Sequence, residues 1–343
     1  MNSRTSLRFD YVALVAIAVC VTMLYGIVLG ERLARVPTPA VIGAPAAPPD
    51  GSAPVDRAPD RAAMASPPAA ARIGHVADAR IDDLSTLFQR AGYELDRIRR
   101  GVRKVPPILV DRVPIDLASL ASPGERKRLF IKLALPLVLT ANQRILDDRE
   151  RLMALRQRMR NGVRSLGPRD SLWIARMHAR YGLDRYDLDA LLERMDIVPP
   201  SLALAQAAEE SGWGTSRFVR EGNALFGQHT YKPGQGLVPT RRDPGNTHEV
   251  RIFNRLLDSV ASYMFNLNSH PAYREFRRAR AIQRRSRGSL DGFALVATLT
   301  RYSERGGAYI KTIRSIIETN GLAAFDQASL DGRLPFDRRD PAI

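Results

Sequence analysis

Cysteine is almost absent: the chain of 343 residues has one, Cys20, which excludes an intramolecular disulfide and any metal site built from several thiolates. The folded body is therefore held by its core alone, for which an apolar fraction of 45% is ample. No Ser-His-Asp triad, P-loop or nucleotide fingerprint stands out. His229 and His248 flank a turn-rich segment and could meet across it, but two imidazoles without a nearby third ligand fall short of a zinc site. Neither a metal nor another cofactor is expected. Acidic residues are in deficit, 36 against 52 Lys and Arg, leaving a formal net charge of +16. Such an excess calls for an anionic partner or surface. Nucleic acid, anionic lipid and acidic cell-wall polymers all qualify; nucleic acid is not expected, because no recognisable reading motif accompanies the charge.

Composition is uneven along the chain, which predicts an anchor, a linker and a folded body. Tyr11 to Gly30 reads YVALVAIAVCVTMLYGIVLG, an uncharged run of the ~20 residues that cross a bilayer as a helix. Arg4 and Arg8 precede it, which keeps residues 1–10 cytoplasmic and sends the remainder across, although Arg32 and Arg35 blur the asymmetry. A cleaved signal peptide is the competing reading, but its apolar region usually spans ~7–15 residues. A retained single-pass anchor in the inner membrane, with the body facing the periplasm or cell wall, is the expectation. Cys20 is then a membrane-buried thiol; Val19 is too bulky for a lipoprotein acylation site. Residues 36–75 are dominated by Pro and Ala, the composition of an extended linker.

Helical periodicity begins near Ile81. IDDLSTLFQRAGYELDRIRR places Leu84, Leu87, Phe88, Leu95 and Ile98 at helix-like intervals. LFIKLALPLVLTANQRILDDRERLMALRQRM is interrupted by Lys132 and Pro136 and predicts a long buried helix kinked near Pro136, not a second membrane span. A helix SLWIARMHARYG follows, with Asp170 as N-cap and an end near Gly182. Residues 80–195 thus form a helical N-terminal region without evident chemistry.

VPPSLALAQAAEESGWG is more informative. A helix starting at Pro200 and Ser201 has almost no polar face, so it is buried on most sides. Glu209 and Glu210 occupy its last turn, before Gly212, which suits a left-handed C-terminal cap. A carboxyl there faces the negative end of the helix dipole and little water, and both disfavour its ionised form. That is the setting of a general acid for glycosidic-bond cleavage; two solvent-facing Glu at a frayed end is the alternative. Glu210 shares a stripe with Ala203 and Ala207, while Glu209 lies ~100° round the helix.

AQAAEESGWG (Ala205 to Gly214) followed by GNALFG (Gly222 to Gly227) resembles the signature of the peptidoglycan glucosaminidases of glycoside hydrolase family 73. The resemblance extends from about Lys104 to Gly321. GWGTSRFVREGN, NLNSHPAYREFRRAR and RYSERGGAY resemble the Bax-type branch of that family. It implies a mainly α, α+β lysozyme-like domain over residues 196–322, preceded by the extra helices and followed by a tail, 323–343. It also implies a proton donor at Glu210, whereas Glu209 matches no catalytic position. Between Phe226 and Phe253, FGQHTY and HEVRIF are β-prone runs separated by KPGQG and RRDPGNT, predicting a small β-rich lobe. Family members carry a second acidic residue there. Glu249 is the best-placed carboxylate and Asp243 sits in a turn; pairing of Glu249 with Arg251 on a strand surface is the alternative.

Asp258 is expected to cap a helix SVASYMFNLNSH, and Ser289 to open another that ends near RYSERGG. Tyr302 resembles the family's cleft tyrosine, implied to position the N-acetyl group or the oxocarbenium-like centre; a core aromatic is the alternative. The branch has Tyr-Ser-Glu-Arg-Gly where other members have Tyr-Ala-Thr-Asp-Pro. Trp213 and Phe226 are candidates for apolar sugar-stacking surface, and Asn223 for a polar contact at the cleft floor. The activity implied is hydrolysis of the β-1,4 bond of N-acetylglucosamine in peptidoglycan glycan strands. A lytic transglycosylase, whose usual Gly-Leu-Met-Gln type segment is absent, and a non-catalytic peptidoglycan-binding scaffold are the alternatives.

Overall fold

The computed structural model describes residues 74–76, 79–163, 165–239 and 247–332. The expected anchor at 11–30, nearly all of the 36–75 linker, Asp243 and the tail beyond residue 332 lie outside the described residues.

Strand β1 (Gly74–Val76) leads into helices α1 (Ile81–Arg90) and α2 (Leu95–Arg99), and pairs in parallel with β2 (Ile108–Val110). The two helices bury Leu84, Phe88, Leu95 and Ile98, four of the five periodic positions. Helix α3 (Pro123–Arg160) opens with Ser122 as N-cap, its Oγ accepting from the Glu125 N–H at 3.3 Å, and Pro123 in the first turn. It continues as helix through Pro136. Its apolar half is long enough to span a bilayer but is largely buried inside the protein, so it is a core helix. Its charged half packs Leu152 and Leu155 against α4 (Pro168–Arg180) and α5 (Leu188–Arg194) in a separate small core. Asp170 is not the N-cap of α4: Gly167 holds that position and Pro168 occupies the first turn, because proline's fixed φ and missing N–H suit a helix start. Asp170 instead accepts from Arg151 at 2.9 Å.

Next come α6 (Pro200–Ser211), α7 (Arg217–Gly222), α8 (Leu256–Ser269), α9 (Arg274–Arg287), α10 (Gly292–Leu295) and α11 (Gly307–Thr319). Helix α6 is the axis of the domain. Every residue from Pro200 to Ala208 is buried, with α3, α10, α11 and a last 3-10 turn, Leu322–Gln327, packed around it. Pro199, at its N-cap, offers no side-chain acceptor. The need is met from afar by Asp326, whose Oδ1 accepts from the Ser201 N–H at 2.7 Å and whose Oδ2 accepts from the Ser201 hydroxyl at 2.8 Å. The extra N-terminal helices share this core: Phe88, Leu133 and Leu202 belong to one cluster.

The β lobe is a three-stranded antiparallel sheet, β3 (His229–Thr230), β5 (Glu249–Arg251) and β4 (Gly236–Leu237), in the order β3-β5-β4. A Cβ on Gly236 would lie 2.5 Å from the Val250 carbonyl oxygen, so only glycine lets the strands approach. The whole is mainly α with a small sheet beside a buried central helix, as the expected lysozyme-like class requires.

Two boundaries differ from expectation. Arg255, not Asp258, is the N-cap of α8; Asp258 lies in the first turn and reaches back to accept from the Arg255 N–H at 3.1 Å, the carboxylate half of a capping box. Ser289 opens no helix either, since Asp291 caps α10, accepting from Ala294 N–H at 3.0 Å. Helices α9 and α11 have no counterpart among the expected elements. In α9 the buried positions are Phe276, Arg277 and Arg280, and arginines standing at core positions hide the apolar period.

Candidate active site

The site is built at the C-terminal end of α6. Gly212 adopts a left-handed φ of 57°, and the Trp213 N–H donates to Ala208 O at 2.9 Å, closing the helix. Trp213 and Gly214 are left-handed too, with φ of 57° and 81°. For a bulky aromatic that is strained and needs support. The indole has it: Phe130 packs edge-on at 5.7 Å and the Lys127 ammonium lies 5.1 Å from the ring. A Cβ on Gly214 would meet Leu117 at 2.8 Å and Phe130 of α3 at 3.1 Å, so the Gly-Trp-Gly turn presses its backbone against these two side chains. Trp213 itself stays half-buried.

The two carboxylates diverge as the helical rotation demands. Glu209 Oε1 accepts from Arg305 Nη1 at 2.7 Å, and Arg305 Nη2 also donates to Thr312 at 2.7 Å. This ion pair straps the Tyr302–Gly306 segment over the helix end. Glu210 is half-buried and turns inward, where its Oε1 accepts from the Tyr309 hydroxyl at 2.9 Å. Tyr309 in turn accepts from Gln206 Nε2 at 2.8 Å, and Gln206 Oε1 accepts from the Tyr263 hydroxyl at 2.7 Å. Gln206, Tyr263 and Tyr309 are all buried. The chain of donors has one sense, Tyr263 to Gln206 to Tyr309 to Glu210. Oε1 is thereby committed as an acceptor, and a proton carried by the acid belongs on Oε2.

Burial lifts the Glu210 pKa above the usual carboxylate range, and the Glu209 charge pushes the same way. The Tyr309 hydrogen bond and the Arg305 charge pull it back without cancelling the rise. Burial and the Glu210 charge hold Tyr309 far above an ordinary phenol, so it remains a donor at any physiological pH.

Tyr302 joins this cluster. Half-buried, it stacks on Tyr309 with centroids 5.4 Å apart and planes at 16°, and lies 6.0 Å from Tyr273. Phe226 takes a different place from the sugar-facing one expected: it is buried, its ring stacked on Tyr263 at 3.8 Å. Asn223 is buried as well, with a left-handed φ of 53° and Nδ2 donating to Phe253 O and Asn254 O at 2.9 and 3.0 Å. It pins the exit of the lobe to α7 rather than flooring a cleft.

Glu249 is 8% exposed on β5. It does not pair with Arg251, whose guanidinium lies over Phe253 at 5.0 Å. Its Oε1 accepts from Gly234 N–H at 3.0 Å and its Oε2 from Gly236 N–H at 2.8 Å, so the carboxylate clamps the Lys232–Gly236 turn. His229 and His248 do meet, ring to ring at 4.4 Å; burial and His248 lower the His229 pKa. Among the described residues no three His, Cys, Asp or Glu side chains gather to hold a metal.

Gln206, Tyr263, Tyr309 and Arg305 are absent from the expected site. Gln206 alone had a sequence signal: it is the one polar side chain among Leu202 to Ala208, four residues before Glu210 and therefore on the same stripe.

A buried helix ending in an inward-facing Glu beside a small β lobe is the arrangement expected of a glucosaminidase domain. The chain belongs to that family: a family model described as mannosyl-glycoprotein endo-beta-N-acetylglucosaminidase matches residues 187–322. A curated relative, Protein bax of Escherichia coli strain K12, is 31% identical over 211 residues, 60% of this chain and 73% of the relative, which places the chain in a Bax-type branch. No solved structure matches it.

Proposed function

We propose that the protein is an endo-β-N-acetylglucosaminidase that hydrolyses the β-1,4 bond of N-acetylglucosamine in peptidoglycan, with Glu210 as general acid. The observation that carries the proposal is the Glu210 carboxyl, lifted in pKa by burial and held through one oxygen by Tyr309. Glu210 Oε2 donates its proton to the glycosidic oxygen as the bond to the anomeric carbon breaks, the electron pair leaving with that oxygen. Positive charge develops on the sugar beside the Tyr302 face, and water then adds to the anomeric carbon, losing a proton. Tyr302 and half-buried Trp213 supply the aromatic surface of the cleft. Residues 11–30 anchor the body in the inner membrane, and the 36–75 linker gives it reach into the wall.

The test uses the full chain on purified peptidoglycan, with mass spectrometry of released fragments. Reducing N-acetylglucosamine ends support the proposal, anhydro-muramic ends replace it with a lytic transglycosylase, and binding without new ends replaces it with a scaffold.

The hydrogen-bond chain sets a pH signature. Tyr309 stabilises the ionised form of Glu210, so its removal raises the acid's pKa further. Activity requires the protonated acid and falls as pH rises through that pKa. The descending limb of the kcat/KM profile is therefore expected to move to higher pH in Tyr309→Phe, with kcat lower overall because the carboxyl loses its orientation. An unmoved limb would remove Tyr309 from the acid's environment.

Glu249 acts here as the clamp of the lobe. A water-directing role requires the Lys232–Gly236 turn to release one of its oxygens. Azide distinguishes the two: Glu249→Ala is expected to lose activity with increased proteolysis in the lobe and no recovery in azide. Recovery, with a glycosyl azide product, would assign the carboxylate to the far face of the sugar.

A further inference from the structure

A basic pocket of about 580 Å³ lies between α8 and the β lobe, a volume within the usual range of ligand sites. Three arginines from three elements converge on it: Arg180 closes α4, Arg194 closes α5 and Arg251 closes β5. His229 and His270 add to its rim, and among the described residues no Asp or Glu lines it. Two of the guanidinium groups lie over aromatic rings, Arg180 over Phe265 at 5.2 Å and Arg251 over Phe253 at 5.0 Å. The third, Arg194, is fixed by donating through Nη1 to the Tyr181 and Ser269 carbonyls. Carboxylates neighbour two of these cations, Asp148 near Arg180 and both Glu193 and Asp184 near Arg194; Arg251 is exposed and makes no ion pair among the described residues.

A run of tyrosines connects the pocket to Glu210: Tyr273, Tyr302 and Tyr309 follow one another ring to ring, and Tyr309 donates to the acid. The pocket's wall residue Asn266 faces the Tyr273 hydroxyl, and Tyr273 feels the Glu210 charge and lies 6.0 Å from Tyr302. Gln228 on the opposite wall is held by Ser262 at 3.0 Å. A pre-oriented set of planar cations matches carboxylates, which accept bidentate hydrogen bonds from guanidinium. In peptidoglycan the sugar released by a glucosaminidase is the muramic acid, and its lactyl group carries a peptide with free carboxylates. That peptide begins within one sugar of the bond being broken.

We infer that the Arg180–Arg194–Arg251 pocket binds the carboxylates of the muramyl stem peptide on the leaving-group side, making the enzyme selective for peptide-bearing glycan. The inference rests on the peptidoglycan reading above. The test is calorimetric titration of the full chain carrying Glu210→Gln with N-acetylmuramyl-L-alanyl-D-glutamate, its diamide and inorganic phosphate. The free acid is expected to bind at least tenfold tighter than the diamide. Arg251→Glu, on the surface, and separately Arg180→Gln are expected to erase that ratio while Arg194 is left in place to hold the fold. Equal binding of acid and amide, or displacement of the acid by phosphate at equal concentration, would overturn the inference. Arginine-dependent binding in a chain whose wild type cuts no glycan would sink the hydrolase proposal alone. Normal cutting with no acid-to-amide preference would sink the subsite alone.

Discussion

Glu210→Gln is expected to remain folded and to lose about 10²–10⁴-fold in turnover on peptidoglycan, the usual contribution of a positioned acid. Gln keeps the shape and accepts from Tyr309 as the carboxylate does, so the Tyr263–Gln206–Tyr309 chain stays intact and only the transferable proton is gone. A stability readout separates loss of chemistry from loss of fold. The Glu210 pKa is raised in the folded state, so the folded protein binds the proton more tightly than the unfolded chain, and stability falls as pH rises between the two pKa values. Removing the charge is therefore expected to raise Tm at neutral pH. A variant that is inactive and melts lower would mean that Glu210 is a structural residue, and a variant with full activity would mean that another group donates the proton.

The second large effect concerns the joint that aims α6. Asp196, 2% exposed, sits between α5 and α6. Its carboxylate accepts from Arg284 at 2.6 and 3.1 Å and lies 3.8 Å from Arg149, while Arg280, fully buried, donates to its backbone carbonyl at 2.8 Å. Arg280 also donates to Asn268 and to the carbonyls of Glu193, Arg194 and Ile197, so one guanidinium ties the α5–α6 turn to α8. Asp196→Ala leaves these cations without their counter-charge and is expected to cost about 3–5 kcal/mol, a large share of the 5–15 kcal/mol typical of a whole protein. Urea denaturation would show it, and a loss below about 1 kcal/mol would reduce the cluster to a solvated surface feature. The pH dependence has a definite sign. Burial pushes the Asp196 pKa up, but Arg280, Arg284 and Arg149 together bring it below the ordinary value. Its contribution is present above the unfolded carboxylate pKa of about 3.9 and is lost as pH falls through the lowered folded value. Asp196→Asn is expected to flatten that acid limb.

The arginine cluster also explains one way in which the fold escapes the sequence. A residue that is nearly always exposed here fills core positions of α9, and periodicity counted on apolar residues passes over it. Asp170, Asp258 and Ser289 illustrate another. Each stands in or near a first turn, yet the cap is Gly167, Arg255 and Asp291 respectively, because proline preference and capping-box geometry shift the start by a few residues.

Local chemistry was sufficient to specify α6, an apolar surface that demands burial, and the left-handed exit at Gly212, since each depends on neighbours within one or two helical turns. The partners of these groups lie far along the chain. Tyr309 reaches Glu210 across 99 residues, Arg305 reaches Glu209 across 96, and Asp326 caps Ser201 across 125. Glu249 and Gly236 are closer, 13 apart, but meet only because β4 and β5 pair in one register. Which hydroxyl donates to which carboxyl is decided by helix packing and strand register, and those are properties of the assembled core that no short window of residues contains.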